Sequence, residues 1–294
     1  MKRATRTTLI AYAFILPCLL MLVALMLDPA IQTLRFSFSK VKLPGFGTSF
    51  VGAKNYADFL ARPELGRVAL NTVVWTVATV LLRFVLGMWG ALVVNNAFRG
   101  KAIWQTLILL PWTVPSIVSA NIWRWMLQGD FGMVNSTLKS WGLSGLSRLW
   151  LSDAATAMPS VMIAYAWAGF PFVMLMLLAG MQAIPEEIYD AGRIDGANKV
   201  QLFRHITLPG LRSVIVVVVL LEIINGLNSF DSLFVMTGGG PGGVSEILGL
   251  MIYRLGFSNF DFGVASAAAI VLIAVVMGGF LLYVPASAKQ RGGI

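Results

Sequence analysis

The chain has 294 residues, of which 57% are hydrophobic and only 12% charged, with a formal net charge of +9. A soluble domain carries about 25% charged residues, and the mean hydropathy here is +0.79. Too little charge is present to cover a water-facing surface, which excludes a disordered chain, a coiled coil and an ordinary soluble enzyme and leaves an integral membrane protein.

The positive charge does not point to nucleic acid. The Lys and Arg residues are spread thinly between apolar stretches, with no basic face or dense basic run. In a membrane protein such an excess sets topology and meets anionic lipid headgroups. Cys18 has no partner in the chain, so no internal disulfide and no Cys-rich metal site is expected. His205 is the lone histidine, which argues against a His-ligated metal centre or a Ser-His-Asp triad. No catalytic residue and no metal ligand is assigned.

A spanning helix needs about 20 predominantly apolar residues. Six stretches qualify, at about 9–34, 68–94, 102–127, 155–181, 213–236 and 262–284. The first follows Lys2, Arg3 and Arg6 and could be read as a signal peptide. Its apolar run is too long for that and no small-residue cleavage site follows, so it is expected to be a retained span. Pro111 and Pro115 fall in the third stretch, and Pro159 and Pro171 in the fourth. Such prolines either break helices where they line a cavity or form packed kinks. The connections do not read as separate soluble domains, so residues 1–294 are expected to form one all-α transmembrane domain.

Charge orients the spans. With the N-terminus inside, the short inner pieces carry Lys2, Arg3 and Arg6, the turn Arg99–Lys101, and Lys289 with Arg291. Raw counts on the two sides are close, but the inner pieces are shorter and their basic residues denser, and the positive-inside rule is strongest for short segments near span ends. The N- and C-termini are both expected in the cytoplasm.

The inner segment 184–212, between the fourth and fifth spans, reads IPEEIYDAGRIDGANKVQLFRHITLPGLR. Pro185 suits the first helical position. Glu186, Glu187 and Asp190 oppose the positive end of the helix dipole. The helix is expected from about Pro185 to Asp195, where Gly196 permits the left-handed conformation that ends helices. Asn198 is a cap for a second helix carrying Val200, Leu202, Phe203 and Ile206, which ends near Pro209. On physics alone two readings fit this hairpin: a helix lying on the bilayer, or a docking element. The three acids would be repelled by anionic lipid, and the small Ala191 and Gly192 would let another surface approach the backbone.

Ionisable groups inside a span are costly and mark functional sites. Arg83 and Glu222 lie about 17 and 14 Å from the inner ends of the second and fifth spans at 1.5 Å per residue. Similar depth allows them to pair; the alternative is that each faces a watery cavity or a backbone partner. Asn225, Asn228 and Asp231 follow on the fifth span, and Asn121 lies on the third. Trp123, Trp125, Tyr165 and Trp167 add aromatic surface. Sugars take polar groups for their hydroxyls and aromatic faces for their C–H surfaces, which makes Asn121, Tyr165, Trp167, Glu222, Asn225, Asn228 and Asp231 candidates along a substrate route. Aromatic residues near span ends also form interfacial belts.

The inner segment resembles the signature loop of binding-protein-dependent ABC importer permeases: Glu-Ala-Ala, three residues, Gly, nine residues, Ile, one residue, Leu-Pro. Here Asp190-Ala191-Gly192 is followed by Gly196, Ile206 and Leu208-Pro209 with every spacing kept. Asp190 replaces the Glu, and Gly192 replaces the second Ala at about 1 kcal/mol of helix propensity. A second stretch, from Phe230-Asp231 to Thr237-Gly238-Gly239-Gly240-Pro241-Gly242-Gly243, resembles the carbohydrate importers of the maltose and glycerol-phosphate type, as does LLPWTVPSIVSANIWRWMLQGDFGMVN in and after the third span. These glycines are not a P-loop, since no Lys-Ser/Thr follows them.

The resemblance implies an ABC importer type I permease fold. It implies a cytoplasmic coupling helix, with Glu186, Glu187, Asp190, Ala191, Gly192, Asp195 and Gly196 contacting an ATPase. It also implies a second homologous permease, two ATP-binding cassette subunits that hold ATP and Mg, an extracytoplasmic substrate-binding protein and a carbohydrate or polyol substrate. The setting would be the bacterial inner membrane, with lipid contact and no nucleic acid. No cofactor is expected on this chain, which would not itself be an enzyme. The rival is an autonomous ion-coupled transporter using Arg83, Glu222 and Asp231, which leaves the matched inner-loop spacing unexplained.

Overall fold

The computed structural model describes residues 2–42, 47–96 and 99–289; Arg291, expected to mark the inner side, lies outside them. In chain order the helices and strands are α1 (Lys2–Leu22), α2 (Asp28–Ser37), β1 (Ser39–Lys42), β2 (Gly47–Phe50), α3 (Lys54–Leu60), α4 (Leu65–Asn95), α5 (Lys101–Thr113), α6 (Ser116–Met126) and α7 (Met133–Ser140). They continue as α8 (Ala157–Gln182), α9 (Glu186–Ile194), α10 (Lys199–Leu202), α11 (Leu208–Gly210), α12 (Arg212–Asn228), α13 (Phe230–Met236), α14 (Leu248–Tyr253) and α15 (Phe262–Lys289). Short wide turns join α1 to α2 at Val23–Leu27, and α10 to α11 at Phe203–Thr207.

The chain divides into two units, Met1–Leu65 with Met251–Ile294, and Gly66–Leu250. In the first, α15 packs on α2 and α3. The hairpin β1–β2, in register Ser39 opposite Phe50, was not expected in a chain this apolar. Asn55 ties it down, its amide donating to the carbonyls of Ser37 at 3.0 Å and Ser39 at 2.9 Å. The apolar side chains described along Tyr12–Leu27 are exposed, as a lipid-facing span requires.

In the second unit, α4 buries a stripe through Val68, Thr72, Trp75, Thr79, Arg83, Gly87, Ala91 and Val94. These positions recur every three or four residues, the period of one helix face. The stripe meets α8, which buries Val161, Ala164, Gly169, Val173, Leu177 and Met181. Two apolar clusters fill the unit, one around Trp75, Val161, Leu233 and Ile247, the other around Ala91, Met174, Leu177 and Val218.

Three helical stretches among the described residues are long and apolar enough to cross a membrane: Tyr12–Ser37, Leu65–Asn95 and Ala157–Gln182. Two bent pairs raise this to five if each is one span: α5 with α6, and Lys199–Gly210 with α12, the latter bent by 69°. In the expected third span, α5 and α6 meet at 94°. Val114 is extended and Pro115 precedes the first residue of α6, so the proline is placed where it needs no amide hydrogen. In the expected fifth span the helix breaks at Ser229, between α12 and α13. The Ser229 hydroxyl donates to the Gly226 carbonyl at 2.7 Å, and Trp75 Nε1 donates to the same carbonyl at 3.1 Å and to Ser229 Oγ at 2.9 Å.

Candidate functional site

Arg83, on the buried stripe of α4, reaches Glu222 on α12: Nη1 donates to Oε2 at 2.8 Å, with both side chains under a tenth exposed. Its Nε and Nη2 donate to the Tyr165 carbonyl at 3.2 and 2.8 Å. The guanidinium carbon lies 3.6 Å from the centre of the Tyr165 ring, a stacking geometry favoured by the ring quadrupole. Glu222 Oε1 accepts from Asn225 Nδ2 at 3.4 Å, and the Tyr165 hydroxyl donates to the Asn225 carbonyl at 3.1 Å. Buried charges persist when paired and hydrogen-bonded, and both conditions hold here. The helices α4, α8 and α12 are thus tied at one level.

This network forms one wall of a cavity of about 540 Å³. The break between α5 and α6 supplies another wall through Trp112, Thr113, Pro115 and Ser116. Ser119, Phe172 and Ser232 line it too. Of the residues expected along a substrate route, Tyr165, Glu222 and Asn225 line this cavity, while Asn121, Trp167, Asn228 and Asp231 do not. Asn121 and Asn228 instead donate to the carbonyls one turn back, of Ile117 at 2.9 Å and Ile224 at 3.0 Å. Trp167 packs edge-on to Trp123 at 5.6 Å, and Asp231 sits in the first turn of α13.

The inner hairpin follows its local chemistry closely. Pro185 is the residue before α9 rather than its first. Gly196 has φ +82°, and Asn198 and Gln201 form a reciprocal capping box. The Tyr189 hydroxyl lies 3.0 Å from Thr207 Oγ1, bridging the two legs. Glu186, Glu187, Asp190, Ala191, Asp195 and Gly196 are all exposed, and Asp190 pairs with Arg193 at 2.6 Å. A methyl group at Gly192 would sit 2.8 Å from Leu202 Cδ2, so its smallness serves packing within the hairpin. Ile194, at the tip, is 86% exposed.

The glycine-rich stretch is a fastened loop. Asn71 Nδ2 donates to the carbonyls of Gly243 at 3.2 Å and Glu246 at 3.0 Å, and Thr72 Oγ1 accepts from the Leu248 amide at 2.9 Å. Within the loop, Ser245 Oγ donates to the Gly240 carbonyl at 2.6 Å and lies 2.8 Å from Thr237 Oγ1. Sequence reasoning missed the partners on α4, which are too far away along the chain for any spacing pattern to signal. Among the described residues no group of three or more His, Cys, Asp or Glu is placed to hold a metal.

Comparison with known proteins completes this picture. A family model described as binding-protein-dependent transport system inner membrane component matches residues 83–286. The chain belongs to this family. As an inner membrane component it is a multi-pass transport protein and not a catalytic subunit. It is 34% identical over 290 residues to the trehalose/maltose transport system permease protein MalF of Thermococcus litoralis, covering 99% of this chain and 97% of that one. It is 32% identical over 270 residues to the sulfoquinovosyl glycerol transport system permease protein SmoG of Agrobacterium fabrum, covering 92% and 87%. A bacterial ABC transporter involved in the import of the acidic polysaccharide alginate has the same fold, with TM-score 0.85 at 21% identity over 98% of both chains.

Proposed function

We propose that this inner membrane component is one permease subunit of an ATP-driven importer for a carbohydrate or related polyol. The observation that carries the reading is the end-to-end likeness to a trehalose/maltose permease. The cavity agrees with it, since hydroxyl, amide and aromatic groups together line it.

In this reading six spans cross the membrane within a single domain, with the bent α5–α6 pair and the α12–α13 pair each counted once, and both termini are cytoplasmic. The hairpin of α9 and α10 is the coupling element. Its exposed acids and Ile194 seat on an ATP-binding subunit, which holds ATP and Mg. Closure of two such subunits pushes the hairpin, the spans rotate, and an external binding protein delivers the solute to the opened route. Hydrolysis resets the inward-facing state. A second homologous permease supplies the opposite wall. This chain contributes binding and coupling, with no covalent step and no cofactor of its own. The ion-coupled alternative is disfavoured by the Arg83–Glu222 pair, whose charges are satisfied by each other and by neighbouring groups, and by the family match.

Purification of the tagged chain in gentle detergent, with mass spectrometry of co-eluting proteins, tests the reading. Recovery of a second permease and an ATPase, with ATP-dependent sugar uptake after reconstitution, is expected. A chain that elutes alone and moves solute without ATP would overturn it.

A further inference from the structure

The cavity beside α4, α8 and α12 is lined by both charged and neutral polar groups. Its charged lining residues are Arg83 and Glu222, and among the described residues no other charged side chain lines it. Those two charges are spent on each other at 2.8 Å. The arginine's remaining reach goes to the Tyr165 carbonyl and ring, and the second carboxylate oxygen goes to Asn225. The neutral lining groups include Ser119 and Ser232, at 4% and 6% exposure, whose hydroxyls can both donate to and accept from a ligand hydroxyl.

We infer that this cavity selects a neutral, hydroxyl-rich solute and turns away anionic ones. The inference rests on the importer reading and narrows its substrate class. A neutral sugar or polyol finds hydroxyl groups at Ser119 and Ser232 and an aromatic face at Trp112 or Phe172. A phosphate, sulfonate or carboxylate finds no unpaired cation among the lining residues of this chain. To bind one, Arg83 must leave Glu222, and a carboxylate would then remain buried beside a second anion. That arrangement is disfavoured both by desolvation and by like-charge repulsion. Glu222 is therefore a specificity-determining residue: it cancels the charge that would otherwise draw an anion in.

The test uses the chain in nanodiscs with the permease and ATPase subunits that co-elute with it. Equilibrium dialysis compares glucose with glucuronate, maltose with maltose 1-phosphate, and glycerol with glycerol 3-phosphate. The wild type is expected to retain the neutral member of at least one pair by about tenfold or more over its anion, the size of a single unfavourable charge contact. Glu222→Gln should shrink or reverse that ratio, and the double variant Arg83→Gln/Glu222→Gln should restore it. If Glu222→Gln does not yield intact complex, Ser119→Ala with Ser232→Ala gives the second reading, a several-fold loss of neutral retention. A wild-type complex that holds an anion as well as its neutral counterpart would overturn the inference. So would an intact, ATP-hydrolysing complex that retains no member of any pair. Absence of any co-eluting ATPase would instead overturn the importer reading on which the inference stands.

Discussion

Gly169 lies against the Arg83 guanidinium so closely that a methyl group on its α-carbon would overlap the Cζ and Nε atoms of that side chain. The glycine on α8 makes the space in which the arginine of α4 reaches the Tyr165 carbonyl and Glu222 together. Gly169→Ala is expected to displace the guanidinium and to destabilise the protein by about 1–3 kcal/mol, as overpacking of a filled interior does. A lowered thermal unfolding midpoint in detergent reads this out, and an unchanged midpoint would mean that the arginine has room to move aside.

The pair itself should behave as a unit. Removing either partner leaves an uncompensated buried charge, at a cost of about 3–5 kcal/mol. Arg83→Ala and Glu222→Ala are each expected to be strongly destabilising, while the double variant costs less than their sum by about 0.5–3 kcal/mol. Simple additivity in the unfolding midpoints would remove the energetic coupling, whatever the distance between the two groups.

Gly196 tests the hairpin. A side chain there would meet no atom within 4 Å, so the obstacle to substitution is the backbone, at φ +82°. Left-handed backbone costs an L-residue about 1–2 kcal/mol, and a β-branched one more. Gly196→Val is expected to leave the spans folded while reshaping the turn, so ATP hydrolysis by the assembled complex continues but uptake falls. Full uptake by that variant would count against the hairpin as the coupling element.

Asn71 gives a prediction away from the cavity. Its amide holds two carbonyls of the glycine-rich loop. Asn71→Ala removes the side-chain donor to both carbonyls, leaving Gly243 with the Glu246 amide at 3.2 Å, at about 1–3 kcal/mol. Amide exchange across residues 237–246 should accelerate while exchange in α8 stays as it was. Uniform acceleration through both segments would indicate general unfolding instead of a released loop.

How far the sequence could be read depends on whether the deciding interaction was local. Apolar length alone marked α4 and α8, because some twenty predominantly apolar residues have few other uses. The hairpin was legible almost residue by residue, since Pro185, Gly196 and Asn198 act on their immediate neighbours. The sharp turn between α5 and α6 was flagged only as a pair of prolines; its 94° angle comes from packing against α8 and α13. The interruption at Ser229 was not foreseen, because the residue that stabilises it, Trp75, sits on another helix. For the same reason depth in the membrane could suggest that Arg83 and Glu222 share a level, but not that Tyr165 would offer both a carbonyl and a ring to the arginine. Trp167 and Asn121 look like sugar-binding residues in sequence; only the direction each side chain takes from its helix keeps them out of the cavity lining.

The two legs of the inner hairpin meet the spans side by side. Ile184 packs against Gly210, and Leu211 against Gly180. Above that base, the capping box, the Tyr189–Thr207 contact and the packing of Gly192 beneath Leu202 brace the legs against each other. In the coupling role proposed above, the hairpin's nine-residue arm, about 14 Å long, would work like a tiller: a push at Ile194 would become torque at the feet of α8 and α12, the helices that carry Tyr165 and Glu222.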